Sequence, residues 1–200
     1  MMHPSRETGP DALLLPEDGG SAAMMVGESA LQRLLSLDEA LLVAAQRLRR
    51  PWRTALARAL TRLGDATSWT AAGLALLATS TPLGLHLGLR LGAAAGLATL
   101  LSQAVKRGLA RTRPDSAIVG FEALAANPDR FSFPSGHTAA AVAVAVAFAG
   151  APFGLGPGTA ALAAGIALSR VYLGAHYPLD VVAGAVLGLL AGIAARLLVG

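Results

Sequence analysis

The sequence predicts an all-α protein that is embedded in a membrane as a bundle of about five helices, or six if the N-terminal region supplies a further span. Of the 200 residues, 54% are hydrophobic and only 14% are charged, which is too apolar for an ordinary soluble domain. The apolar residues form continuous runs, and the longest approach the roughly 20 residues that a helix needs to cross a bilayer. Many are small, with 23 glycines, so the helices can pack closely in lipid.

The first 65 residues do not resemble a membrane span. Residues 1–20 are polar, contain three prolines, and are predicted to be a disordered tail. Residues 21–65 predict two amphipathic helices divided by Pro51, because leucines recur at helical spacing. Charged residues interrupt these leucines too often for a lipid-facing span. The basic amphipathic pair either lies in the membrane interface or packs on the bundle, and the pattern is compatible with both.

Residues 66–200 predict the membrane domain, which contains five apolar segments. The second and fifth segments are long enough to span a bilayer alone, whereas the others are shorter. If each segment crosses once, the polar connections around 106–134 and 170–178 lie on the same membrane face. Polar residues that are far apart in the sequence can therefore meet at one site. The segments are Ala66–Ser80, Leu83–Val105, Thr138–Ala151, Gly158–Leu173 and Leu179–Val199.

The first of three polar clusters follows the second apolar segment. Lys106 and Arg113 are cations suited to an oxyanion, since arginine offers a planar fork of donors and lysine a point charge. They lie about two helical turns apart, so both face one way if the helix continues through Thr112, and Pro114 then ends it. Taken alone, this basic run favours the simpler interpretation of a positive-inside flank of a membrane span.

The second cluster, Pro134-Ser135-Gly136-His137, precedes an apolar helix. The backbone N–H groups and the dipole at a helix start favour an anion, and Gly136 allows the anion to approach the backbone. Ser135 offers a hydroxyl donor, and His137 offers a proton for a leaving oxygen. Alternatively, Ser135 only caps the helix and His137 is a satisfied polar residue at the interface.

The third cluster contains Arg170, His176 and Asp180, and Pro178 suits the first turn of the helix that begins there. The Asp180 carboxylate can accept from one imidazole nitrogen of His176 and leave the other free as a base or nucleophile. Arg170 adds a third cation. Asp180 taken alone could merely complement the helix dipole, but that interpretation does not explain a second histidine on the same face.

The composition argues against several other kinds of site. The chain has no cysteine, which excludes disulfides, thiolate catalysis and Cys-ligated zinc. The arginines lie beside apolar spans without interleaved aromatic residues, which argues against a nucleic-acid partner. A metal on His137, His176 and Asp180 is disfavoured, because no carboxylate cluster supports it and three nearby cations would repel it. No metal or other cofactor is therefore expected.

Together, the three clusters resemble the signature of the type 2 phosphatidic acid phosphatase (PAP2) superfamily of lipid phosphate phosphatases. The resemblance covers about residues 66–199 and no part of residues 1–65. Three complete motifs in the right order are a highly specific signal, whereas any one alone would be weak. The matching patterns are Lys106-x6-Arg113-Pro114, Pro134-Ser135-Gly136-His137 and Ser169-Arg170-x5-His176-x3-Asp180.

The resemblance implies a helical bundle and a metal-independent mechanism. By the family pattern His176 is the nucleophile and forms a phosphohistidine, Asp180 orients and polarises it, and His137 protonates the leaving group. The residues that hold the phosphoryl oxygens by the same pattern are Lys106, Arg113, Ser135, Gly136 and Arg170.

The implied activity is hydrolysis of a lipid phosphomonoester or diphosphate, such as phosphatidate, phosphatidylglycerophosphate or a polyprenyl (di)phosphate. A lipid phosphotransferase and a non-catalytic protein that binds lipid phosphate are the alternatives. The expected partners are the lipid substrate and membrane lipids. The oligomeric state is open, because the spacing Gly184-x3-Gly188-x3-Gly192 suits packing within the chain or between subunits.

The charge pattern also predicts the orientation of this integral plasma-membrane protein. Arginines precede the first clear span, and with five crossings they lie on the catalytic face. The turns of the opposite face carry no charge. The positive-inside rule therefore favours a cytoplasmic active site.

Overall fold

The computed structural model describes residues 19–125 and 129–200, and in these ranges the regular elements are helices, which confirms the predicted all-α class. Residues 1–18 of the predicted tail lie outside the described residues. The described residues divide into two compact units, with the boundary between Ser36 and Leu37. The helices are α1 (Gly19–Gln46), α2 (Pro51–Leu63), α3 (Ala66–Ala78), α4 (Pro82–Leu109), α5 (Pro114–Ala117), α6 (Gly136–Ala147), α7 (Leu155–Tyr172) and α8 (Pro178–Val199).

Prolines and hydroxyl residues define where several helices begin. α2, α4 and α8 start with Pro51, Pro82 and Pro178, at a position where the missing N–H would have had no helical partner. Thr81 caps α4, because its hydroxyl accepts a hydrogen bond of 3.0 Å from a backbone N–H of the first turn. Ser135 caps α6 in the same way. These local signals are visible in the sequence, which explains why the predicted helix starts agree closely with the structure.

Helix α6 lies at the centre of the core, where it packs against α4, α7 and α8. Helix α8 approaches it through Gly184, Gly188 and Gly192. A Cβ atom at these positions would lie 2.5, 2.4 and 2.6 Å from backbone carbonyl oxygens of α6 and its cap residue, closer than such atoms can approach. The glycine stripe is therefore used for packing within the chain.

Two of the described helices, α4 and α8, are long and apolar enough to cross a membrane. They correspond to the second and fifth predicted segments, which the sequence also identified as long enough to span alone. α3 and α6 are shorter apolar helices. The number of crossings beyond these two stays a prediction.

The end of α4 and the starts of α6 and α8 meet at one end of the core, which we call the polar end. Here the backbone N–H of Ser135 donates to the carbonyl of Asp180 over 2.9 Å. At the opposite end, Arg90 of α4 and Arg196 of α8 donate to carbonyls at the end of α6. The three polar clusters of the sequence therefore lie together, as the crossing argument predicts.

Candidate active site

A cavity of about 710 Å³ opens at the polar end of the core. Two of the eight residues predicted from the sequence clusters, Ser135 and Asp180, do not line it and are fully buried. The six that line it come from α4, the loop after α4, α6, α7 and the loop before α8, so the fold brings all three clusters to one place. They are Lys106, Arg113, Gly136, His137, Arg170 and His176.

Lys106 and Arg113 converge on one carboxylate, although they do not lie on one continuous helix. The helix does not continue through Thr112, because it stops before Ala110, which adopts a left-handed conformation with φ of 41°. The chain turns at this point and brings both cations to Asp129. Lys106 Nζ lies 2.5 Å from Asp129 Oδ2, and Arg113 donates to Asp129 Oδ1.

Asp129 identifies an anion-binding position between these two cations. Burial acts to raise the pKa of its carboxyl, but the hydrogen bonds and the charges of Lys106 and Arg113 together outweigh burial and hold this pKa below its ordinary value. Both cations are more than nine-tenths buried, so they have little access to bulk water. A phosphate oxygen placed here would meet the same donors.

The start of α6 presents Gly136 and His137 to the cavity. Among the described residues, no neighbouring atom lies within 4 Å of the point where a Cβ of Gly136 would be, so an anion has room to approach the backbone. His137 Nε2 lies 2.8 Å from Asp65 Oδ1 and donates to that carboxylate. Ser135 instead caps the helix, with its hydroxyl 2.9 Å from that of Thr138.

Arg170 and His176 are almost fully buried, with 2% and 1% of their surface exposed. Arg170 donates to the hydroxyl of Thr61 in α2 over 2.6 Å. His176 Nδ1 faces Asp180 Oδ2 at 3.6 Å, slightly too far for a hydrogen bond. Burial lowers the pKa of His176 to about 4, Asp180 acts to raise this pKa, and Arg170 and Arg113 act to lower it further. The imidazole is therefore neutral at pH 7 and can act as a nucleophile.

Asp180 lies fully buried in the first turn of α8. Its Oδ2 accepts a hydrogen bond of 2.9 Å from the backbone N–H of Tyr177. Its Oδ1 accepts one of 2.8 Å from Arg111. The two oxygens thus have separate partners, and Oδ2 is the one that faces His176.

Beyond the cations the cavity continues as an apolar groove between α3 and α4, which we call the α3–α4 groove. A Cβ at Gly92 or Gly96 would meet open space among the described residues, so the glycines of α4 leave the groove wide. Its residues are Trp69, Gly73, Leu74, Leu77, Leu91, Gly92, Ala95 and Gly96.

A family model described as the PAP2 superfamily matches residues 87–200, which is more than half of the chain and includes all eight predicted site residues. The chain belongs to the PAP2 superfamily. The resemblance drawn from the three sequence clusters is thereby confirmed.

Several PAP2 proteins are similar to this chain over most of its length. The decaprenylphosphoryl-5-phosphoribose phosphatase of Mycolicibacterium smegmatis is 37% identical over 149 residues, which are 74% of this chain and 81% of that protein. The transmembrane PAP2-type phosphatidylglycerolphosphate phosphatase of Bacillus subtilis has a TM-score of 0.66 and 29% identity, covering 83% of this chain and 86% of that one. Aquifex aeolicus LpxE has a TM-score of 0.66 and 27% identity, covering 78% and 92%. These relatives confirm that the chain is a phosphatase of the PAP2 type.

Four charged residues of the PAP2 site lie outside the predicted set, namely Asp38, Asp65, Arg111 and Asp129. Each is an ion-pair or hydrogen-bond partner of a predicted residue or of another member of the four. Arg111 and Asp129 lie in the connection that carries the first cluster, where buried cations need acidic partners, and this signal could have identified Asp129. Asp38 lies within α1 and Asp65 directly before α3, and no local pattern points to either residue.

Proposed function

We propose that this PAP2 protein is an integral membrane phosphatase that removes phosphate from a lipid phosphomonoester or diphosphate. The observation that carries the proposal is the continuity of one cavity, which joins three buried cations and two histidines to the α3–α4 groove. A substrate with a phosphate headgroup and an apolar chain suits such a cavity. The activities named for the relatives, on decaprenylphosphoryl-5-phosphoribose and phosphatidylglycerolphosphate, support a lipid substrate.

In the proposed first step His176 is the nucleophile. Its neutral imidazole attacks phosphorus, so that a P–N bond forms while the bond between phosphorus and the leaving oxygen breaks. His137 gives its proton to that oxygen, which departs as a lipid alcohol or lipid monophosphate. Asp180, opposite Nδ1, stabilises the positive charge that develops on the ring.

In the second step water hydrolyses the phosphohistidine. His137, now neutral, accepts a proton from the attacking water, the P–N bond breaks, and inorganic phosphate leaves. The cations Lys106, Arg113 and Arg170 hold the phosphoryl oxygens in both steps, and Lys106 and Arg113 exchange Asp129 for them. The protein groups supply all of this chemistry, so the proposed reaction needs no metal.

The decisive experiment is phosphate release from a panel of lipids by the purified full-length protein in detergent, with EDTA present. The panel contains phosphatidate, phosphatidylglycerophosphate, polyprenyl mono- and diphosphates, and decaprenylphosphoryl-5-phosphoribose. We expect release that survives EDTA and is lost in His176→Ala. His86→Ala is the matched control, because His86 does not line the cavity, and it should keep wild-type activity.

Each other outcome points to a different function. Release that EDTA abolishes would contradict the metal-free mechanism, and full activity of His176→Ala would contradict the nucleophile. Folded wild-type protein that releases no phosphate from any lipid would favour a phosphotransferase or a binding protein. Transfer of the phosphoryl group to an added lipid acceptor then distinguishes these two.

A further inference from the structure

Arg111 links two buried carboxylates and is not among the residues of the three motifs. Its guanidinium donates to Asp38 Oδ2 over 2.7 Å and to Asp180 Oδ1 over 2.8 Å. The same guanidinium lies 4.0 Å from the centre of the Tyr177 ring. Arg111 is therefore fixed by two charge-assisted hydrogen bonds and an aromatic face.

The Asp38 side chain is also held in a fixed position, although it comes from the amphipathic N-terminal region. It lies in α1, within the unit of residues 37–200, and only 2% of its surface is exposed. Its second oxygen, Oδ1, accepts a hydrogen bond of 2.8 Å from the backbone N–H of Leu179. That N–H belongs to the first turn of α8, one residue before Asp180, and has no partner within the helix. Asp38 thus binds both Arg111 and the helix start that carries Asp180.

The arrangement determines which oxygen of Asp180 faces the nucleophile. Because Arg111 binds Oδ1, Oδ2 is directed toward the backbone N–H of Tyr177 and toward His176 Nδ1, 3.6 Å away. Without Arg111 the carboxylate loses the partner of one oxygen and can rotate. A purely structural role as a buried helix cap would need only the hydrogen bond between Asp38 and the Leu179 N–H. It does not account for the ion pair between Arg111 and Asp180.

We propose that Arg111 and Asp38 are positioning residues of the phosphatase reaction, which hold the Asp180 carboxylate in the orientation that aligns His176 for attack. The proposal rests on the proposed function, since it assigns the two residues to the His176–Asp180 pair. It also gives the C-terminal half of α1, outside the family motifs, a part in catalysis. Neither residue touches the cavity, so both act through Asp180 and not on the substrate.

The test compares Arg111→Gln and Asp38→Asn with two control variants, using the panel lipid that the wild type hydrolyses fastest. Arg107→Gln removes an exposed arginine of the same basic run, and Glu39→Gln removes the exposed acid next to Asp38. We expect kcat to fall by about 10- to 100-fold in the two test variants, as for other residues that orient a reacting group. KM and the competitive inhibition constant of inorganic phosphate should change by less than about 3-fold, because Lys106, Arg113 and Arg170 are intact.

A double-mutant cycle with Asp180→Asn separates positioning from general destabilisation. If Arg111 acts through Asp180, Arg111→Gln has little further effect on kcat in the Asp180→Asn background. The proposal is overturned if the effects of Arg111→Gln and Asp180→Asn on kcat multiply in the double mutant. It is also overturned if folded Arg111→Gln and Asp38→Asn keep the wild-type kcat. If Arg111→Gln does not fold, the same cycle is run with Asp38→Asn, which keeps the shape of the side chain. A wild type that releases no phosphate overturns the proposed function itself, whereas an active wild type with active variants overturns only this inference.

Discussion

In the proposed mechanism the substrate phosphate displaces Asp129, since Lys106 and Arg113 both bind its carboxylate. We predict that Asp129→Asn tightens competitive inhibition by inorganic phosphate by about 3- to 10-fold, because a neutral amide competes less well for two cations. The change should also lower the free energy of unfolding by about 1–3 kcal/mol, since both cations lose their charged partner. Asp115→Asn, an exposed acid in α5, should alter neither quantity. Weaker phosphate inhibition in Asp129→Asn would show that Asp129 supports the bound phosphate.

His176 should make stability depend on pH, because burial lowers its pKa to about 4. The unfolded chain binds a proton below about pH 6.5, where the folded site does not. The stability contributed by neutral His176 is therefore present above pH 6.5 and is lost as the pH falls from there towards 4, in total on the order of 3 kcal/mol. Thermal unfolding between pH 8 and pH 4 should show this loss in the wild type and a smaller loss in His176→Asn. An equal loss of stability in the wild type and in His176→Asn would show that His176 is not the source of the pH dependence. His86→Asn serves as the control.

The candidate site residues could be identified from the sequence, and six of the eight line one cavity, whereas their charged partners could not. His137 and His176 stand in short motifs whose residue types imply their chemistry. The sequence around Asp65 and Asp38 does not indicate their partners, since these two residues pair with residues 72 and 73 positions away. A buried charge requires a partner, but only the fold determines which acid or base supplies it.

At the level of helices, the α6–α8 contact determines how His137 and Asp180 are placed relative to each other, because α6 carries His137 and α8 carries Asp180. We predict that Gly188→Ala destabilises the protein by about 1–3 kcal/mol, since the added Cβ would lie 2.4 Å from a backbone oxygen of α6 that cannot move aside. Gly108→Ala in α4 meets open space and should be neutral or stabilising by up to about 1 kcal/mol. Unfolding temperatures in detergent measure both. Equal effects would contradict the close packing of α6 on α8.

The α3–α4 groove gives a prediction about chain length. Gly96→Leu should place a side chain in the groove and raise KM for a long-chain lipid phosphate by about 10-fold, while a short water-soluble phosphate ester is hydrolysed as before. Gly158→Leu adds the same side chain to an exposed position of α7 and should leave both substrates unaffected. If Gly96→Leu hydrolyses both substrates equally poorly, the substitution has damaged the phosphate site, and this result would contradict a groove that binds the lipid chain.

Helix positions were largely predictable because prolines and caps mark them, but the end of α4 was not. The sequence leaves open whether the helix continues beyond the apolar segment through Thr112, since nothing before Pro114 forbids it. Ala110 instead adopts a left-handed conformation, which is unfavourable for a residue with a Cβ. Tertiary contacts of Lys106 and Arg113 with Asp129 stabilise this turn, and such contacts have no signature in local propensity.

For the whole molecule, the distribution of arginines bears on its orientation in the membrane. The polar end follows a segment with six arginines, whereas the opposite end has Arg90 and Arg196, both engaged with helix carbonyls. Cations that serve the phosphate site say nothing about orientation, but these six lie outside it. The positive-inside rule therefore supports a cytoplasmic polar end. The six are Arg47, Arg49, Arg50, Arg53, Arg58 and Arg62.

The orientation can be tested directly because the chain has no cysteine, so a single introduced thiol reports one position. Val119 follows α5 at the polar end and is fully exposed, and Phe153 is 88% exposed in the turn before α7 at the other end. We predict that a membrane-impermeant maleimide labels Phe153→Cys in intact cells, and labels Val119→Cys only after the membrane is permeabilised. The reverse pattern would place the active site on the outer face, where a substrate must already have crossed the bilayer. Labelling of both positions from the same side would mean that α6, the helix between them, does not cross the membrane, which contradicts the five-crossing arrangement.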